Sequence, residues 1–246
     1  MASTFLTAEW RKLIMAQYAV EPSLLAPWLP HGVELDLFNS RCFVSLVGFL
    51  FDRVRIKGVP PPFHKRFEEV NLRFYVRRVM PDGSARRGVV FISEIVSKPA
   101  ITLVANTLYG EAYRTAATQH LWRESPSGLD ISYSWKVPSG AAKGRWQHLS
   151  VQAESQALDI APASMEEFIT EHYWGYTARR DGVTGEYGVE HPHWQHYPVR
   201  AAQVSADFAA LYGKAFAHLT GREPDHVLLA EGSAIAVRQG SHIPAR

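Results

Sequence analysis

The chain of 246 residues is 46% hydrophobic and 12% aromatic, ample for one large buried core, and its 26 basic and 24 acidic residues are interspersed to a net charge of +2. That balance offers no single-sign block to attract nucleic acid or a membrane surface. The single cysteine, Cys42, rules out an internal disulfide and a cysteine-rich metal site, and neither the opening residues nor the longest apolar run, residues 42–51, reads as a leader or a membrane span, so a single cytoplasmic domain over residues 1–246 is expected.

In chain order, Pro22 opens a short helix with Leu24, Leu25, Trp28 and Leu29 as its buried stripe and Pro30 and Gly32 as its stop. Residues 41–51 are apolar on both faces and predict a central strand. Strands follow over 69–79 and 88–96, separated by the turn sequence Pro81-Asp82-Gly83. Ser97 and Pro99 open a second helix, with Ile101, Val104, Ala105 and Leu108 at helical spacing and Gly110 at its end. Further strands are read over 111–122, 129–136 and 145–154. Ser164-Met-Glu-Glu167 is a capping box for a third helix. Strands over 174–180 and 185–191 flank Asp181-Gly182, another is read over 199–205, and Ser205 is the expected cap of a fourth helix that turns Phe208, Leu211, Tyr212, Ala215 and Phe216 inward. A last strand covers 226–238. Many short strands with a few interrupting helices mean α+β, mostly β, built as a barrel or sandwich.

Two segments carry side chains with chemistry. Residues 69–77 alternate regularly: Glu69, Asn71, Arg73, Tyr75 and Arg77 face one way, Val70, Leu72, Phe74 and Val76 the other. If the polar face looks into a barrel, Arg73 could grip a substrate carboxylate beside Glu69; if it looks outward, the segment is an ordinary amphipathic strand. In the second segment, Tyr109, Glu111, Tyr113 and Thr115 share a strand face after the second helix. A buried Glu111 would have a raised pKa and could serve as general acid or base with Tyr113, whereas paired with Arg114, Arg73 or Arg11 it would only fix the strand junction. Tyr173-Trp-Gly-Tyr176 could wall a pocket through Tyr176 or simply pack in the core. His191, His193 and His196 are close in sequence, but Pro192 interrupts them, the remaining histidines are scattered, and no metal site is expected. No nucleophile elbow, phosphate-binding loop or dinucleotide fingerprint occurs, and no cofactor is expected.

The run from Lys98-Pro-Ala-Ile to Tyr109-Gly-Glu111-Ala-Tyr113 resembles the lysine-bearing segment of acetoacetate decarboxylases, a likeness that covers mainly residues 10–113. Together with Ala16-Gln-Tyr18 through Pro30-His-Gly-Val-Glu34 and Phe67-Glu-Glu69-Val-Asn71-Leu-Arg73, the chain is similar over nearly its whole length to the YqjF-like proteins, which resemble that decarboxylase in fold. The resemblance implies a cone-shaped β-barrel with an internal pocket. It places the decarboxylase's pocket arginine on Arg11 and its pocket glutamates near Glu69 and Ser45. The lysine that forms the Schiff base falls on Glu111, or on Ala112 if the gap sits differently, and a carboxylate cannot form an imine.

Three readings follow. In the first, Arg11, Glu69, Asn71, Arg73, Tyr109 and Tyr176 bind a small organic or keto acid while Glu111 and Tyr113 move a proton, as in a lyase or hydrolase without Schiff-base chemistry. In the second, the same cavity serves a non-catalytic ligand-binding or sensing module. In the third, exposed strand edges or the Trp174 region assemble a homo-oligomer. All three expect neither nucleic acid nor membrane as partner.

Overall fold

A computed structural model describes residues 3–99, 102, 112–179 and 182–244. Among them the strands are β1 (Thr4–Val20), β2 (Glu34–Leu35), β3 (Cys42–Ile56), β4 (Phe67–Val79), β5 (Ala85–Val96), β6 (Tyr113–Thr115), β7 (Thr118–Ser125), β8 (Gly128–Lys136), β9 (Trp146–Ala153), β10 (Leu158–Asp159), β11 (Trp174–Ala178), β12 (Thr184–Glu190), β13 (Gln195–Tyr197), β14 (Val199–Ser205), β15 (His226–Arg238) and β16 (Ser241–Ile243). The α-helices are short: α1 (Pro22–Leu25), α2 (Met165–Thr170) and α3 (Phe208–Tyr212), with 3₁₀ turns at Ala26–Trp28 and Lys214–Leu219. No helix of the described residues is long and apolar enough to cross a membrane.

The large sheet runs β15-β1-β3-β4-β5-β11-β12, and β12 pairs back onto β15 through Val189↔Val237 and Glu190↔Ala236, so the hydrogen-bonded order returns upon itself. The parallel β5–β11 join rests on Gly88, where a Cβ would lie 2.4 Å from the carbonyl oxygen of Trp174. Any larger residue there would force the two strands apart.

A second sheet, β14-β9-β8-β7, covers the outer face of the first. Leu129, Ile131, Tyr133, Trp135, Leu149 and Val151 of this sheet share one core with Ile14, Ala16, Val44, Leu46, Val70, Leu72 and Phe74. A second core, on the opposite face of the large sheet, contains Leu13, Met15, Val47, Phe49, Phe51, Phe67, Val89 and Trp194. β3 therefore sends alternate side chains into two cores, which is why residues 42–51 are apolar without alternation. At about 1.5–3 kcal/mol for each fully buried aliphatic or aromatic side chain, this strand is a main source of stability.

The fold is mostly β with a few short helices, as the strand count and turn sequences predict. The hairpin at Pro81-Asp82-Gly83 joins β4 to β5, and β11 pairs antiparallel with β12. Ser164 caps α2, its hydroxyl accepting from the amide of Glu167 at 3.1 Å. Some expectations need correction. β1, 17 residues long, is not among the strands read from residue pattern, because its buried stretch Leu13–Tyr18 has no polar alternation; the resemblance alone marks its end, as an entry strand from Ala16. The cap of α3 is Asp207, whose carboxylate accepts from the amide of Ala210 at 2.9 Å, and not Ser205, which ends β14. The strand expected over 111–122 breaks into β6 and β7. Nearly all of the helix expected between Ser97 and Gly110 lies outside the described residues.

Candidate functional site

On the ring's second core lies a cavity of about 150 Å³. β4 supplies Glu69, Asn71 and Arg73, β5 supplies Phe91 and Glu94, β6 supplies Tyr113, and His172 comes from the link between α2 and β11. Trp10, Leu13, Val47, Phe49, Phe51, Phe67 and Trp174 form the apolar walls. The polar face of β4 thus looks into the cavity, while Val70, Leu72, Phe74 and Val76 fill the core between the sheets.

Glu94 reaches the same space because β5 is bulged. Leu72 pairs with Ser93 but Arg73 with Phe91, leaving Ile92 as the extra residue. Without that bulge, Phe91 and Glu94, three apart, would face opposite sides. Glu94 lies across from Asn71 and beside Tyr113 in the pairing, and Glu69, Asn71 and Glu94 are each only 2% exposed.

The Glu69 carboxylate is held at both oxygens: Asn71 Nδ2 donates to Oε1 at 2.9 Å and the Tyr113 hydroxyl to Oε2 at 2.9 Å. Burial pushes its pKa up to about 7, against the opposing pull of those two donors and of the Arg73 charge. Burial and the neighbouring Glu69 and Glu94 charges hold the Tyr113 phenol well above its usual value, so it stays a donor. Arg73 touches Met15 Sδ through Nη2 at 3.8 Å, while its buried Nε has no hydrogen-bond partner among the described residues. Neither has Asn71 Oδ1.

His172 Nε2 lies 3.0 Å from Asp36 Oδ2, and Arg87 Nε donates to the same oxygen at 2.6 Å. Burial drives the imidazole down to about 4 despite the Asp36 contact, so the ring is neutral near pH 7.

Of the residues read from sequence, Glu69, Asn71, Arg73 and Tyr113 come together in this cavity. Tyr109 and Glu111 lie outside the described residues. Arg11 does not line the cavity. Its guanidinium holds Glu9 at 2.8 Å and approaches Glu231 at 3.5 Å. The reason is a bulge in β1, where Arg11 pairs with Leu50 and Ile14 with Gly48, and where Lys12 has a φ of 52°. Regular alternation from Leu13 would have turned Arg11 inward; the bulge lets Trp10 and Leu13 line the cavity instead. Tyr176 is buried in the core between the sheets, its hydroxyl donating to the Arg86 carbonyl at 3.2 Å, and its neighbours Trp174 and Gly175 meet the cavity. Ser45 is buried, accepts from Gln17 Nε2 at 2.7 Å and pairs across from Arg73, but is not itself one of the residues that line the cavity. Arg114 is held by the Leu211 carbonyl and the Ser139 hydroxyl. His191 packs between Tyr173 and Trp194, and His193 pairs with Glu171 at 3.1 Å.

Sequence reasoning missed Glu94 and His172. A lone acid within the apolar run Phe91-Ile-Ser-Glu-Ile-Val96 was a usable signal, since a buried charge needs a purpose or a partner. His172 carried none, because its partner Asp36 is 136 positions away.

A ring of seven paired strands backed by a second sheet, with acids and an arginine inside, defines an acetoacetate-decarboxylase-like fold. The acetoacetate decarboxylase of Legionella pneumophila matches it with a TM-score of 0.65 over 99% of this chain and 88% of that one, at 13% identity. The enduracididine biosynthesis enzyme MppR, complexed with pyruvate, matches with a TM-score of 0.60 over 98% and 91%, also at 13% identity. Within that fold, the chain belongs to the DUF2071 family, described as an uncharacterized conserved protein, which matches residues 7–234. The uncharacterized protein YqjF of Bacillus subtilis (strain 168) is 26% identical over 184 residues, 74% of this chain and 72% of that protein.

Proposed function

We propose that the cavity binds a small organic acid, keto acids included, with Arg73 gripping its carboxylate and Glu69 exchanging a proton with the bound molecule. The observation that carries this reading is the buried Arg73 Nε, left without a partner among the described residues on the wall of a largely apolar cavity. A guanidinium so placed is matched to a carboxylate, which it can hold in a two-pronged contact. A volume of about 150 Å³ is that of protein cavities that take up benzene, which suits a ligand of about six or seven heavy atoms. The pyruvate complex of the structurally similar MppR fits the same class.

Glu69, with its pKa near 7, is present in both protonation states around neutrality, the condition for giving or taking a proton next to a carbonyl. Tyr113 holds the carboxylate in place while it does so. No lysine stands among the described residues of the cavity, and the resemblance puts the Schiff-base position on Glu111. The reading is therefore proton transfer without an imine.

Calorimetric titration with pyruvate, acetoacetate and butyrate tests it. Arg73→Met is expected to weaken binding at least about tenfold, and binding that ignores the substitution overturns the reading. Exchange into D2O of the hydrogens next to the keto group, followed by proton NMR, is expected with the wild type and lost in Glu69→Gln. Binding without exchange leaves a ligand-binding site with no proton chemistry.

A further inference from the structure

His172 is a cavity residue for which proton transfer at Glu69 has no use. Its side chain is 1% exposed and is clamped on several sides, by Asp36 at Nε2 and by the rings of Tyr75 and Phe168 with centroids at 4.7 and 5.1 Å. Asp36 is in turn fixed by Arg87. A carboxylate can only accept, so the neutral ring carries its proton on Nε2 and leaves a lone pair on Nδ1. That Nδ1 is buried and has no partner among the described residues, and the same holds for Asn71 Oδ1. Two acceptors are therefore kept dry at the wall of one cavity, where the unpartnered donors among the described residues are Arg73 Nε and Trp10 Nε1. Buried acceptors in folded proteins are ordinarily satisfied, and one without a donor points to a missing group. Arg73 and His172 line the same cavity of about 150 Å³, so the missing donor and the bound carboxylate fall within one small space.

We propose that the ligand carries a hydroxyl close to its carboxylate, and that this hydroxyl donates to His172 Nδ1 while Arg73 holds the carboxylate: the favoured class is small hydroxy acids. This rests on the carboxylate-binding reading above and adds a specificity to it. A site built to meet a hydroxyl rejects the analogue that lacks it, because its own polar groups are then left unpaired.

The test compares butyrate with 2-hydroxybutyrate and 3-hydroxybutyrate by calorimetry on the wild type and on His172→Phe, which keeps a ring and removes the acceptor. One of the hydroxybutyrates is expected to bind the wild type at least about tenfold more tightly than butyrate. In His172→Phe that preference, taken relative to butyrate on the same variant, should shrink several-fold. Equal affinities in the wild type, or an undiminished preference in the variant, overturn the proposal and leave the Arg73 reading intact. If none of the three acids binds, the carboxylate reading itself fails and takes this one with it. Should His172→Phe not fold, the ¹⁵N resonance of His172 Nδ1 in the wild type decides: it should move on adding the preferred hydroxybutyrate and stay for butyrate, and a resonance unmoved by both hydroxy acids overturns the proposal.

Discussion

Replacing Glu69 with glutamine should alter the pH dependence of stability in a way whose sign the structure fixes. In the unfolded chain this carboxyl loses its proton around 4.5, and in the fold around 7, because burial outweighs the donors from Asn71 and Tyr113 and the Arg73 charge. Its contribution to stability is therefore whole below pH 4.5, declines as the pH rises, and is gone above about 7. At about 1.4 kcal/mol per pKa unit the decline comes to about 3 kcal/mol. His172 works in the opposite sense: its pKa falls from 6.5 to about 4, so its contribution is whole above pH 6.5 and lost as the pH falls toward 4. The two windows overlap between about pH 4.5 and 6.5, where the wild-type effects largely cancel. Glu69→Gln removes one of the pair and leaves the imidazole unopposed. Urea unfolding at intervals from pH 4.5 to 7.5 should show variant and wild type similar at the acid end, with the variant gaining about 3 kcal/mol relative to the wild type at the neutral end. Taking the difference between the two proteins cancels Asp36, His191 and His226, whose titrations owe nothing to Glu69. A difference that stays constant within about 0.5 kcal/mol across the range would refute the claim that Glu69 is desolvated, and with it the basis for proton exchange near neutrality.

Gly88→Ala places a methyl group 2.4 Å from the Trp174 carbonyl and 2.7 Å from the Tyr176 ring, at the two-residue join that completes the strand ring. A loss of about 2–4 kcal/mol in denaturant unfolding is expected, and wild-type stability would mean the join is dispensable. Gly175→Ala puts its methyl 2.2 Å from the end of the Tyr187 ring, which can move, so the fold should survive while the cavity wall shifts. Butyrate affinity should change several-fold with the unfolding midpoint little altered; the reverse pattern would place Tyr187 in the scaffold instead of the cavity.

Which parts of this were visible in the sequence follows from how local each signal is. The alternation of residues 69–77 is local, and it named Glu69, Asn71 and Arg73 as one face. Which face meets the cavity was not readable, because in β4 the apolar residues are also buried, against the second sheet. The capping box at Ser164 was legible because the signal sits within four residues, whereas the cap of α3 fell two positions from the expected serine because Asp207 is equally able to accept from the first turn. The Asp36–His172 contact joins positions remote in sequence and left no trace in either neighbourhood.

The remaining differences lie at two bulges. The resemblance places the pocket arginine on β1 and the sequence reading passes over Glu94 in β5, and both strands break the period of two at those points. In β1 the bulge after Arg11 moves Trp10 and Leu13 onto one side and turns the arginine toward Glu9 and Glu231. In β5 the extra residue Ile92 brings Phe91 and Glu94 onto the cavity side together. Bulges concentrate where a strand must re-aim a side chain, and here one removes a cation from the cavity while the other adds an acid. The net result is an interior with buried acids and unpartnered acceptors, where Arg73 is the one arginine or lysine among the described lining residues. A ligand for such an interior should bring a single negative charge for that guanidinium and a donor for the acceptors around it, which is the chemistry that the hydroxybutyrate comparison measures.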